Sequence, residues 1–194
     1  MNSEEVLSQL CDVIGTDSVI TDNKEREYFS MDVFDIDEIA DLVIQPNSKD
    51  QISDALKILS KSDYEIIPRG GGMSYTGGYT PSTKRSAIID TSLLNQIIEI
   101  NPDDMYITVE AGCTWKKIYE ALKPMGLRLP FFGTNSGSMA TVGGGLSNGA
   151  LFFGTGKYGS AADNVLGMEI IIADGTLIKT GQNAFADAKP HHRT

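Results

Sequence analysis

Pro68-Arg69-Gly70-Gly71-Gly72-Met73-Ser74-Tyr75-Thr76-Gly77-Gly78 is the stretch on which the fold of this chain turns. Five glycines fall within nine residues, directly after Glu65-Ile66-Ile67, a short apolar run that reads as a strand. Glycine lets a backbone take left-handed dihedrals and lets a ligand approach the peptide plane. At the end of a strand, such a run can turn successive N–H groups inward as a nest for an anion. A diphosphate suits it, because close backbone donors are available only where side chains are missing. Ser74 and Thr76 add hydroxyl donors, and Arg69 can add charge. The alternative reading is a mobile glycine turn.

A second run lies further along, Gly133-Thr134-Asn135-Ser136-Gly137-Ser138-Met139-Ala140-Thr141-Val142-Gly143-Gly144-Gly145. It sits in a glycine-, serine- and threonine-rich region, residues 130–159, with little periodicity. Long structureless loops inside a compact chain are usually functional. Two such loops can hold two ends, or two faces, of one extended phosphate-containing ligand. Gly154-Thr155-Gly156-Lys157-Tyr158-Gly159 matches the G-x-G-x-x-G spelling of dinucleotide folds, but that fingerprint needs a strand before it and a crossover helix after it. Too few residues separate it from the strand at Met168 for a crossover of a dozen or more, so it is rejected. No G-x-x-x-x-G-K-[ST] occurs, which removes P-loop kinases and GTPases.

Around these loops the pattern is mixed. Val6, Leu7, Leu10, Cys11, Val13 and Ile14 form the apolar stripe of a helix from Ser3 to Ile14, stopped by Gly15. A mostly charged helical stretch follows at about residues 23–29. Leu42-Val43-Ile44 reads as a strand, and Ser48 with Gln51 as a capping box opening a helix to about Lys61. Ile52, Leu56 and Leu59 point inward on that helix. Ala87-Ile88-Ile89-Asp90 is a strand. Asn101-Pro102-Asp103-Asp104 joins Ile97-Ile98-Glu99-Ile100 to Tyr106-Ile107-Thr108-Val109 as a hairpin. A helix runs from Thr114 to about Lys123, and Asp174-Gly175 turns a second hairpin between residues 168–173 and 176–180. This is an α+β mixture rather than a regular alternation.

Bulk composition narrows the function. The 194 residues carry 41% hydrophobic and 22% charged side chains, enough for one substantial domain or two lobes. A net charge of −10 repels nucleic acid and excludes that class of partner. No run approaches the ~20 apolar residues of a membrane span. The start, Met1-Asn2-Ser3-Glu4-Glu5, lacks the basic and apolar segments of a signal peptide, so a cytoplasmic location is expected. Cys11 and Cys113 have no metal-type spacing and read as buried free thiols rather than a bridge. The Asp35-Ile36-Asp37-Glu38 run can invite a cation but has no ligand pattern; a solvated acidic turn is the default. Trp115 reads as a core residue at a helix start and Tyr75 as a loop aromatic, with substrate or flavin contact as the alternative for each.

The ordered motifs resemble the FAD-binding PCMH-type family, that of vanillyl-alcohol oxidase. The first loop, Pro68-Arg69-Gly70-Gly71-Gly72 with Gly77-Gly78, is similar to its pyrophosphate loop. Ala140-Thr141-Val142-Gly143-Gly144 is similar to its second flavin loop. Lys157-Tyr158-Gly159, Asp163-Asn164-Val165-Leu166-Gly167 and Glu169-Ile170-Ile171 through Asp174-Gly175 resemble the segment that follows. The resemblance spans about residues 40–181 and is closest to the glycolate oxidase and D-lactate dehydrogenase subgroup.

That resemblance implies two α+β lobes with FAD between them. It divides the chain into an N-terminal helical extension (1–38), the FAD-binding PCMH-type domain (39–181) and an irregular tail (182–194). Arg69, Gly70, Gly71, Gly72, Met73, Ser74, Gly77 and Gly78 would hold the diphosphate. Ser138, Ala140, Thr141, Gly143 and Gly144 would touch the flavin or diphosphate, and Gly159, Asp163, Val165 and Ile171 would border the cofactor. Family members with covalent FAD usually carry a histidine in the first loop. Here glycines and Met73 fill that place and the two histidines, His191 and His192, lie in the tail, so FAD is expected to be non-covalent. The family continues through a Gly-Ser-Glu-Gly type segment and a substrate (cap) domain, and neither is in this sequence. The expectation is a fold truncated before its second lobe is complete, working as the FAD-binding part of an oxidoreductase that oxidises a 2-hydroxy acid. A partner chain or missing C-terminal part would bring the substrate domain. The alternative is a FAD-binding fragment or module without turnover. No residue is assigned as catalytic base.

Overall fold

The computed structural model describes residues 1–34, 36–130 and 136–181. Two compact units divide them. The first comprises Met1–Leu94 with Ile171–Leu177, the second Asn95–Ile170 with residues 178–181, as far as each is described. The acidic run beginning at Asp35 is described only from Ile36 onward. Gly133, Thr134 and Asn135 of the second loop, and the tail with His191 and His192, lie outside the described residues.

The first unit is a four-stranded sheet flanked by helices. Its strands are β1 (Val19–Ile20), β2 (Leu42–Ile44), β3 (Glu65–Arg69) and β4 (Ser86–Asp90), in spatial order β1-β2-β4-β3. β2 and β3 both run parallel to β4, with Val43 opposite Ile88 and Ile67 opposite Ile88 on its other side; β1 pairs antiparallel to β2. β4, an inner strand with a parallel neighbour on each side, is buried along its whole length. β3 is an edge strand in this sheet, which is why it can run on through Pro68. Glu65 N–H donates to Arg85 O and Thr91 N–H donates to Arg69 O, so alternate residues of β3 face β4 and Pro68 faces the free edge.

The first three helices fall where the sequence reading places them. α1 (Ser3–Ile14) buries Val6, Leu10 and Ile14 and closes a capping box between Asn2 and Glu5. α2 (Asn23–Ser30) is capped by the Asp22 carboxylate, which accepts from two backbone amides. α3 (Lys49–Leu59) starts at Ser48, whose hydroxyl accepts from Gln51 N–H at 3.2 Å. The expected reciprocal bond differs: Gln51 Oε1 accepts from Asn47 N–H, one residue earlier, at 2.9 Å. One core joins α1 and α3 to the sheet through Leu10, Leu56, Leu59, Ile44 and Ile89; a second, on Val43, Ile67, Ile88 and Tyr79, takes in Phe29 of α2.

The second unit packs β5 (Ile97–Asn101) and β6 (Tyr106–Val109), an antiparallel hairpin with a bulge near Ile97, against α4 (Trp115–Leu122). Trp115 is 7% exposed and meets Phe152 edge-on, ring centroids 5.0 Å apart, so it is a core residue. Where the sequence shows no periodicity, the chain makes two short helices, α5 (Val142–Ser147) and α6 (Thr155–Tyr158). β7 (Glu169–Ile171) and β8 (Leu177–Lys179) form a two-stranded ribbon around the Asp174-Gly175 turn. That turn rests on α3, where Ser53 Oγ donates to Gly175 O at 2.5 Å.

Candidate functional site

Parallel strands β3 and β4 end side by side, and what leaves their C-terminal ends builds the site in the first unit. β3 delivers Arg69 and then the glycine loop; β4 delivers Asp90, opposite Arg69 in register. The two side chains form a buried ion pair, Arg69 Nη1 to Asp90 Oδ1 at 3.3 Å, 7% and 1% exposed. Asp90 also accepts from Gln45 Nε2 at 2.8 Å and from the Ser92 hydroxyl. The Arg69 guanidinium lies among three rings, with its carbon 4.9 Å from the centroid of Phe29, 5.3 Å from Tyr79 and 5.6 Å from Tyr28. Its charge is thereby engaged inside the unit, where the sequence suggested an anion partner. Burial raises the Tyr79 phenol above its ordinary range, so it stays protonated at neutral pH and donates to Met31 O at 3.0 Å.

Gly72 has φ +67°, and a β-carbon there would stand 2.3 Å from Arg69 Nη2. Glycine is required both for the backbone turn and for the guanidinium beneath it. The decisive property of the loop is in its amides. Among the described residues, the N–H groups of Gly70, Gly71, Gly72, Met73 and Ser74 make no hydrogen bond. Gly70, Gly71, Gly72 and Met73 are half-buried and Ser74 is 9% exposed. Five successive donors without a protein acceptor, in a loop that is partly shielded from solvent, are free to turn to a ligand. An anion with several oxygens would satisfy them together. Ser74 Oγ meets Thr76 Oγ1 and accepts from Thr76 N–H, while Gly77 N–H is taken by Asp32 and Gly78 is exposed. The loop therefore fits a diphosphate through its backbone, without help from the Arg69 charge.

The second loop, in the second unit, is built differently. Ala140 N–H donates to Ser136 O, Val142 N–H to Cys113 O, Gly143 N–H to Ala111 O and Gly145 N–H to Thr141 O. Gly144 N–H reaches the hydroxyl of Thr141, the N-cap of α5. These amides are spent within the chain. The glycines serve packing instead: a β-carbon on Gly143 would lie 2.9 Å from Ala111 Cβ, and one on Gly145 3.0 Å from Trp115 Cζ2. Ser138 is exposed, and Thr141 is buried at 3%.

The third segment is a local knot. Gly159 has φ +82° and comes close to Asp163, whose carboxylate accepts from Ser160 N–H at 2.7 Å and Ser160 Oγ at 2.8 Å. Those bonds hold the Asp163 carboxyl below the usual carboxylate range. Val165 is half-buried, and Ile171 packs on the α1–α3 core of the first unit. Cys11 and Cys113 are free thiols, and burial pushes the Cys113 thiol up. Among the described residues no group of three or more His, Cys, Asp or Glu is placed to hold a metal ion, and no helix is long and apolar enough to cross a membrane.

The C-terminal end of β3, beside that of parallel β4, thus releases a glycine loop whose amides at residues 70–74 have no acceptor among the described residues. The chain matches the FAD binding domain family over residues 40–181 and belongs to that family. The glycolate oxidase subunit GlcD of Bacillus subtilis is 30% identical to it, across 100% of this chain and 41% of that protein. The mitochondrial D-lactate dehydrogenase (cytochrome) of Kluyveromyces lactis is 31% identical, across 79% of this chain and 26% of its own length. The solved structure of 4-ethylphenol oxidase from Gulosibacter chungangensis, an isoeugenol complex, superposes with a TM-score of 0.85 at 23% identity, covering 99% of this chain and 38% of that one. The fold is thus the PCMH-type FAD-binding fold, the cofactor is FAD, and the chain spans about two fifths or less of these relatives.

Proposed function

We propose that this chain is the FAD-binding part of a flavin-dependent oxidoreductase that oxidises a small 2-hydroxy acid, glycolate-like or D-lactate-like, with FAD held non-covalently. The observation that carries the reading is the row of five open amides at residues 70–74. In it Gly70, Gly71, Gly72, Met73 and Ser74 would hold the diphosphate, with Gly77 and Gly78 closing the loop and Arg69 fixing its root. Ser138, Ala140, Gly143 and Gly144 would meet the cofactor through surface rather than through amides, most of which are already bonded, and buried Thr141 would hold their loop in shape. Gly159, Asp163, Val165 and Ile171 border it. Bound FAD supplies the hydride acceptor of the reaction. The protein's share is to orient the cofactor and to keep its diphosphate out of water. The 2-hydroxy acid is suggested by the relatives, glycolate oxidase and D-lactate dehydrogenase. The base and the carboxylate-binding cation belong to the rest of the protein or to a partner chain. Glycines and Met73 standing where a linking histidine would be support non-covalent attachment.

The test is FAD uptake. The purified chain, mixed with FAD and freed of excess, should retain the flavin band near ~450 nm. Gly71→Asp, which sets a carboxylate against the diphosphate, should weaken binding more than about tenfold. An unchanged affinity removes the diphosphate from this loop. Anaerobic bleaching of the bound flavin by glycolate or D-lactate supports the dehydrogenase reading. Retained colour without bleaching, even with the missing part supplied, leaves a binding module without turnover.

A further inference from the structure

We infer that residues 28–34, which precede the part of the chain matched to the family, are built into the cofactor site as a brace, and that Asp32 is the positioning residue that sets the glycine loop. The inference rests on the FAD reading above.

The brace fastens the loop along its length, on both sides of the open amides. At the root, Phe29 stacks on the Arg69 guanidinium. Val33 N–H donates to Ser74 O at 3.4 Å. Phe34 meets Tyr75, with ring centroids 5.8 Å apart. Beyond the loop, Tyr79 donates to Met31 O. Asp32 is the strongest tie: Oδ2 accepts from Gly77 N–H at 2.9 Å and Oδ1 from Phe34 N–H at 2.7 Å, and the residue is 9% exposed.

Two physical points make this a functional arrangement. Five glycines in nine residues leave a loop with a large backbone entropy to lose, and a loop held in its binding shape beforehand spares that loss when the ligand arrives. A buried carboxylate beside an anion site also works against binding by charge alone. The Arg69 charge does not offset it, being paired with Asp90. Asp32 is therefore useful to this site through geometry, by joining Gly77 to Phe34, and not through its field.

These two effects have opposite signs, which gives a clean experiment. Asp32→Asn removes the like charge and turns one of two occupied acceptors into a donor facing an N–H. The FAD dissociation constant of the full chain is measured by flavin fluorescence, alongside the apo melting temperature and the amide resonance of Gly77. Positioning predicts about tenfold weaker FAD binding and a displaced Gly77 amide, with the apo fold retained. Tighter or unchanged binding overturns the brace. If Asp32→Asn does not fold, Asp32→Glu decides, since it keeps the charge and both acceptors on a longer arm: severalfold weaker binding supports the brace and equal binding overturns it. A wild-type chain that binds no FAD fails the cofactor reading itself, and the brace falls with it. Gly71→Asp separates the cases, because it weakens binding whether or not the brace exists.

Discussion

Gly72→Ala isolates the fit between loop and ion pair. The added methyl carries two costs. The backbone at φ +67° is left-handed, worth roughly 1–2 kcal/mol against a residue with a β-carbon. The carbon would also lie 2.3 Å from Arg69 Nη2 and 2.9 Å from Cζ, so the guanidinium must move. Arg69 is a flexible side chain, but three rings and Asp90 hold its end. Displacing it forfeits at least one charge-assisted hydrogen bond, about 1.5–3 kcal/mol. Together the loss is about 2.5–5 kcal/mol, a fall of roughly 5–20 °C in Tm for a chain of this size. Gly126→Ala is the control, with φ +70° and nothing within 4 Å of the new carbon, so only the backbone cost applies. Thermal melts of both variants and wild type give the comparison. Equal losses would show that Arg69 yields freely, and would refute its role as the anchor of the loop.

Gly175→Ala should cost about 3 kcal/mol or more, because its carbon would meet Ser53 O at 2.4 Å and the turn would leave α3; a loss under about 1 kcal/mol in denaturant melts contradicts this seat. Cys113, buried and with its thiol pKa raised, should resist a thiol reagent at pH 8 in the folded chain and react on unfolding, whereas half-buried Cys11 reacts earlier; simultaneous modification of both in the native state argues against it. The Asp163 carboxyl, depressed by its bonds to Ser160, keeps those bonds above its folded pKa and loses them as pH falls through it. The Ser160 amide resonance should then titrate with a midpoint below the ordinary aspartate value of ~3.9, and a midpoint above it would contradict the contact.

Much of the fold was legible because its signals are local. The stripe of α1, the Ser48 cap of α3 and the turn residues at 101–104 and 174–175 act within a few positions. β1 was not, since two residues gain strand character only by pairing with Ile44 and Val43. α5 was hidden for the opposite reason. Gly143, Gly144 and Gly145 each cost about 1 kcal/mol in helix propensity, and the helix exists through the Thr141 cap and its fit to Ala111 and Trp115. In the site, glycine density locates the loop, but composition alone does not tell the first run, with its unspent amides, from the second, whose amides are bonded at home. Arg69 meets Asp90 across 21 residues, and Asp32 meets Gly77 across 45, so neither partnership leaves a spacing to read.

Pro68 has a consequence for how the protein behaves in crowded solution. A sheet margin with open N–H and C=O groups invites another molecule to zip along it, and among the described residues β3, the strand that feeds the cofactor loop, has no strand paired to its outer side. A proline has no N–H to offer at the outward position, so an incoming strand finds a gap at that rung. Pro68 thus gives an incoming strand a poor foothold at the root of the glycine loop.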